Sequence, residues 1–129
     1  MIQGVTTITS SNEAKKDFNG FQNTQSIAEY THASAAYECT VTQFKNGQMG
    51  YLASVGEWME IINNLDEINK CMSLIDGLDI DEGATSYWTS TQYNYEKAWL
   101  VTYNGNEFYP NDERKNNPSY AIRAISQLI

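Results

Sequence analysis

The stretch Asp76-Gly77-Leu78-Asp79-Ile80-Asp81-Glu82-Gly83 gathers carboxylates as a calcium loop does. It lacks the order of an EF-hand. Counted from Asp76, position 3 is Leu78 and position 12 is Tyr87; counted from Asp79, position 12 is Ser90. Neither frame offers the bidentate acid that closes such a loop. Asp79, Asp81 and Glu82 are left as weak candidates for a looser oxygen cage, which Ca²⁺ tolerates, although no motif supports calcium as a cofactor. A solvated acidic face accounts for the same residues. His32 is the sole histidine, so neither a histidine metal cluster nor a serine–histidine pair can be assembled. The chain has no glycine-rich phosphate loop and no Cys-x-x-Cys pair. Without a nucleophile–base pair, no enzymatic activity is expected.

The second half has another vocabulary. Between Gln92 and Tyr120 it is dense in tyrosine and asparagine. Tyrosine supplies large contact area at low entropic cost, and asparagine supplies adaptable hydrogen bonds, which is the palette of binding loops. The same pair suits sugars, whose apolar faces stack on rings while their hydroxyls pair with amides. Tyr93, Tyr95, Asn106, Tyr109, Asn111, Arg114 and Asn117 are therefore the expected ligand-binding residues. The competing reading is that these residues only build turns and sheet, since asparagine accepts left-handed backbone.

Charge narrows the partners. Eight Lys and Arg against 16 Asp and Glu leave a formal net charge of −8, which repels phosphate backbones and anionic membranes, so nucleic acid is not an expected partner. Residues 54–83 hold eight of the acids and a single base, Lys70. No apolar run approaches the roughly 20 residues of a spanning helix, so no membrane insertion is expected. The opening Met1-Ile2-Gln3-Gly4 shows neither a basic nor an apolar signal region. Cys39 and Cys71 are too few for a disulfide scaffold; two reduced, buried thiols are the simpler expectation, with a Cys39–Cys71 bridge as the alternative.

These features must be carried by one domain over residues 1–129. Residues 4–9 are β-branched and read as an edge strand. A helix is expected over 24–39, capped by Thr24 or Asn23. Ser54-Val55-Gly56-Glu57 is a capping box that starts a second helix, with Trp58, Ile61, Ile62 and Leu65 on one face. A short further helix can start near Asp66-Glu67 and stop at Asp76-Gly77. Strands are expected at 87–91, 98–103 and 106–109, the last two joined through Asn104-Gly105 in a tight type I′ turn. A polar loop from Pro110 to Pro118 and a closing strand over 119–125 follow. Helices first and a strand meander after imply an α+β fold rather than a parallel sheet.

Four segments in register carry a resemblance. They are Gly50-Tyr51-Leu52-Ala53-Ser54-Val55-Gly56-Glu57-Trp58, Tyr87-Trp88-Thr89-Ser90-Thr91-Gln92-Tyr93, Ala98-Trp99-Leu100-Val101, and Tyr120-Ala121-Ile122-Arg123-Ala124-Ile125. Together with Asp17-Phe18-Asn19-Gly20 and Ala35-Ala36-Tyr37-x-Cys39, they resemble the C-type-lectin-like domains of bacteria and their phages over roughly residues 17–128. Relatives of that family include variable proteins of diversity-generating retroelements and phage receptor-binding domains. The resemblance implies two to three helices on a twisted antiparallel sheet, with the N- and C-terminal strands paired. It also implies core positions for Trp88 and Trp99, a structural Arg123, and a ligand surface on the late strands and loops.

Two departures limit what carries over. The Glu-Pro-Asn, Gln-Pro-Asp and Trp-Asn-Asp motifs of calcium-dependent animal lectins are absent, so calcium-mediated sugar binding is not implied. The paired late cysteines of the formylglycine-generating enzymes, which share the fold, have no counterpart, because Cys39 and Cys71 both sit early. The expectation is a non-enzymatic binding or adhesion module on a phage virion surface, recognising a host glycan or protein and held as a homo-oligomer or on a larger virion protein. A minor capsid or decoration protein and a lectin-like protein of the bacterial cell surface are the alternatives.

Overall fold

The computed structural model describes residues 2–31, 34–42, 49–64, 66–67, 86–103, 108–115, 122 and 124–125. The order of elements is α1 (Ser11–Ala14), α2 (Gly20–Tyr30), α3 (Ala35–Thr40), β1 (Tyr51–Leu52), α4 (Val55–Asn63), β2 (Ser86–Gln92), β3 (Lys97–Tyr103), β4 (Phe108–Arg114) and β5 (Ala124–Ile125). This is an α+β chain with helices early and a meander late. The three-stranded sheet is antiparallel in the order β2-β3-β4, and β1 pairs with β5 in a second, two-stranded sheet. A backbone bond from Ser90 N to Ala53 O (2.9 Å) ties the end of β1 to β2.

The helical half departs from the single helix expected over 24–39. Helix α2 starts earlier, after Asn19, and stops at Thr31, whose backbone is extended (φ −151°, ψ 134°). Ser34 then caps α3 by accepting from Tyr37 N at 3.1 Å. Asn23 and Thr24 do not cap anything. Both lie fully buried within α2, where their polar atoms serve tertiary contacts instead. Thr24 Oγ1 donates to Gly20 O (2.7 Å) and accepts from Leu52 N (2.9 Å), which fixes α2 against β1.

The capping box at α4 forms as expected: Ser54 Oγ faces Glu57 N, and Glu57 Oε1 accepts from Ser54 N at 2.9 Å. Ser54 Oγ also lies 2.5 Å from Asp17 O. The same carbonyl accepts from Gly56 N at 2.9 Å. The carboxylate of Asp17 is buried and accepts from Asn19 N (2.9 Å), Asn23 Nδ2 (3.0 Å) and Thr91 Oγ1 (2.7 Å). Thr91 Oγ1 in turn accepts from Val55 N (3.0 Å). One residue thus joins the start of α2, the start of α4 and strand β2. A buried carboxylate is tolerable when it is this fully hydrogen-bonded.

The sheet is covered on both faces. Trp88 and Leu100 pack with Leu52, Ala36 and Cys39, against α2 and α3. Tyr87 and Val101, one residue along each strand and so on the opposite face, pack with Ala53 and Trp58. Trp58 stacks on Tyr87 with ring centroids 4.9 Å apart. Trp99 joins Val55 and Ala14 and donates its indole N–H to Ile8 O at 2.8 Å. Trp88 and Trp99 are core residues, as the family resemblance implied. Cys39 is a buried free thiol.

Three other expectations are corrected. The meander continues where a polar loop from Pro110 was expected: residues 110–114 belong to β4, with Pro110 opposite Val101. Proline is accepted there because β4 is an edge strand. The hairpin register is Tyr103↔Phe108, not the Tyr103–Asn106 pairing of a two-residue turn at Asn104-Gly105; residues 104–107 themselves lie outside the described residues. The shift is by two, so it leaves every side chain on the same face. Finally, the two chain ends do not pair with each other among the described residues. Thr7 makes a single parallel bridge to Gln92, while Ala124–Ile125 pairs with β1. Gln92 captures the opening segment with its backbone, through Ile8 N to Gln92 O and Gln92 N to Thr6 O, both 2.8 Å. Its amide Nε2 also donates to Thr7 Oγ1 at 2.9 Å. The expected helix from Asp66 to Asp76, apart from Asp66-Glu67, lies outside the described residues, as do Cys71, His32 and Arg123.

Candidate functional site

The connection between β2 and β3 is residues 93–96, and its shape is set by its own side chains. Asn94 Oδ1 accepts from both Glu96 N and Lys97 N at 2.9 Å, the asparagine-headed turn that this residue favours. Tyr93 N and Asn94 N close the turn on Lys97 O, at 3.0 and 3.2 Å. The Tyr93 ring is anchored edge-on against the buried Trp99, with centroids 5.3 Å apart. Lys97 Nζ lies 5.6 Å from the Tyr93 ring centre and 2.9 Å from Asp112 Oδ1. The Asp112 carboxylate, by hydrogen bond first and charge second, holds the Lys97 ammonium above the usual lysine range. Arg114 Nη1 reaches Glu96 Oε2 at 3.6 Å.

On this ordered turn stands Tyr95, 74% exposed. An aromatic ring held out by a fixed turn and flanked by Arg114, Lys97, Glu96 and Asp112 offers apolar area together with charges of both signs. The cluster offers contact, charge and hydrogen bonding. Tyrosine and arginine in such settings carry much of the energy of protein interfaces.

The structure divides the expected ligand residues. Tyr93, Tyr95 and Arg114 share the β2–β3 end of the sheet. Tyr109 sits opposite Thr102, five residues along β3 from Lys97, or about 17 Å at strand rise. Strand alternation places Tyr109 and Asn111 on one face of β4 and Asp112 and Arg114 on the other. Both Tyr109, at 37%, and Asn111 are exposed. Asn106 and Asn117 lie outside the described residues, as do the weak metal candidates Asp79, Asp81 and Glu82. Among the described residues, no group of three or more histidines, cysteines and acids is placed to hold a metal ion. Sequence reasoning missed Lys97, Glu96 and Asp112. The signal for them is the spacing Asn94-x-Glu96-Lys97, which writes a side-chain-headed turn, combined with a register that sets Lys97 opposite Arg114.

Comparison with protein-family models, with curated proteins and with solved structures finds no match for this chain. Among the described residues, no helix is long and apolar enough to cross a membrane.

Proposed function

We propose that the chain is a non-enzymatic binding module with a C-type-lectin-like fold, displayed on a virion surface, that recognises a host glycan or protein through the end of the sheet carrying Tyr95 and Arg114. The observation that carries this reading is Tyr95 itself. A large ring left in water costs free energy, and here the turn beneath it is built from Asn94, the Tyr93–Trp99 contact and the Lys97–Asp112 pair. Such pre-organisation lowers the entropic cost of binding. The four sequence segments that resemble bacterial and phage lectin-like domains support the proposed fold and setting.

The experiment is a screen of the full chain against a glycan array and against intact bacterial cells. Saturable binding to one glycan class or one host surface supports the reading. If the protein binds no glycan and no cell but assembles onto particles lacking it, it is instead a decoration protein whose exposed rings meet a neighbouring subunit.

A further inference from the structure

A cavity of about 560 Å³ lies on the sheet face toward α2 and α3, within the range of roughly 300–1,000 Å³ typical of small-molecule sites. Its apolar wall includes Ile27, Ala35, Leu52, Trp88 and Ala98; its polar groups include Ser90, Gln92 and Lys115. We propose that this cavity binds a small amphiphilic carboxylate, its anionic head held by Lys115 and Ser90 and its apolar body laid against Trp88 and Ile27.

Two observations support the head group. Lys115 Nζ donates to Gln92 Oε1, and among the described residues no carboxylate pairs with it. An ammonium has three donors, so two remain to be used. The Gln92 amide is spent on the opening segment: Nε2 donates to Thr7 Oγ1 (2.9 Å) and Ile2 O (3.4 Å), and Oε1 also accepts from Ile2 N (3.3 Å). Gln92 therefore neutralises nothing. Burial pushes the Lys115 ammonium below the usual lysine range, and an anion alongside would reverse that.

Ser90 is the second observation. It is 1% exposed, and its hydroxyl is buried with no hydrogen-bond partner. A buried hydroxyl without a partner is unfavourable, and a carboxylate oxygen supplies the acceptor it lacks. The walls decide the rest of the ligand. Among the described residues the lining holds a single cation, which cannot balance a multiply charged phosphate, and a ring or short alkyl chain matches the aliphatic and indole surface. Glu38 also borders the cavity; it and Lys115 are both exposed residues, so its repulsion and the lysine's attraction are screened alike. This site is separate from the Tyr95 turn and stands without the function proposed for that turn.

The test titrates the full chain with octanoate, octanol and octylamine, by calorimetry and by two-dimensional NMR. Octanoate is expected to bind saturably, shifting the Trp88 indole and the Ala35 and Ala98 methyl signals. Octanol is expected to bind about 10-fold more weakly, the loss of one charge-assisted hydrogen-bonded head group. Lys115→Met should bring octanoate down to the level of octanol and leave octanol unchanged, while Lys115→Arg retains most of the preference. Lys115 is an exposed residue just past β4, so circular dichroism should show both variants folded. Equal affinity for octanoate and octanol, no saturable octanoate binding, or a preference for octylamine that Glu38→Gln abolishes would each overturn the proposal.

Discussion

Asp17 and Thr91 stand 74 residues apart in sequence, and inside the folded chain Asp17 Oδ2 accepts a hydrogen bond from Thr91 Oγ1 at 2.7 Å. This contact is one of the points where the helical half is fastened to the sheet. Through Asn23 it reaches the opening segment, since Asn23 Oδ1 accepts from Thr6 N at 2.9 Å. Through Val55 N it reaches the first turn of α4. The strand that ends in the Tyr95 turn is therefore positioned from the helical side by a polar cluster rather than by apolar packing alone.

Removing Thr91 Oγ1 should be costly. Thr91→Val takes away one of the three donors to the buried Asp17 carboxylate and the acceptor of Val55 N, for a loss of about 1–3 kcal/mol. Asp17→Asn places an amide where three donors converge and should cost at least as much. Because both remove the same bond, the double variant should be less destabilised than the sum, with a coupling of about 0.5–3 kcal/mol. Urea denaturation of the four proteins measures it, and strict additivity would mean the bond contributes nothing.

Gly56 gives a prediction of unusual sign. In an exposed helix, Gly→Ala gains roughly 1 kcal/mol. Here a Cβ at position 56 would stand 2.4 Å from Asp17 O and 2.8 Å from Lys15 O, both backbone atoms that cannot swing away. Gly56→Ala should therefore destabilise, by about 1–3 kcal/mol for overpacking. Gly20→Ala meets the Glu57 side chain first, at 1.9 Å, and then Ser54 N at 2.9 Å. Glu57 can rotate away only by giving up its bond to Ser54 N, so this variant loses the capping box. Thermal midpoints below wild type for both are the expected result.

Alkaline pH should unfold the protein through two buried acids. Burial pushes the Cys39 thiol from 9.0 up to about 12, with the Glu38 charge adding to it. Burial, followed by the charge and hydrogen bond of Glu57, takes the Tyr51 phenol from 10.0 to about 12. Well below pH 9 both groups are protonated in folded and unfolded chains, and stability does not depend on them. Above it the unfolded chain releases protons that the folded chain keeps, so stability falls as pH rises toward about 12. Denaturation midpoints from pH 8 to 11 should fall, and less steeply in Cys39→Ala. In a Cys71→Ser background, a thiol reagent at pH 8 should react with the unfolded protein and spare the folded one.

Local chemistry was the legible part of the sequence. The capping box at Ser54 and Glu57 is a contact within four residues, and the strands around Tyr87–Thr91 and Ala98–Tyr103 are announced by composition. What depends on distant partners was not legible. Asn23 and Thr24 look like helix caps in isolation, but their polar atoms are claimed by Thr6, Asp17 and Leu52, so α2 starts earlier. Pro110 looks like a loop residue until β4 is known to be an edge. The opening segment was expected beside the closing strand. Among the described residues it lies instead against Gln92, whose amide and backbone both turn toward Thr6–Ile8. For the candidate site, tyrosine and arginine are singled out by type, whereas Lys97 and Asp112 join them only through the hairpin register.

The proposed binding face is tested most directly by single-residue loss at the two ends of the sheet. Against whichever glycan or cell surface the screen identifies, Tyr95→Ala and Arg114→Ala should each weaken binding by about 2 kcal/mol or more, the level of an interface hot spot. Their denaturation midpoints should match wild type, because both side chains are mostly exposed. Tyr109→Ala, about 17 Å along the sheet by strand rise, should change affinity little. Full affinity in Tyr95→Ala, with the loss found in Tyr109→Ala instead, would contradict the account and move the binding face to the far end of β4.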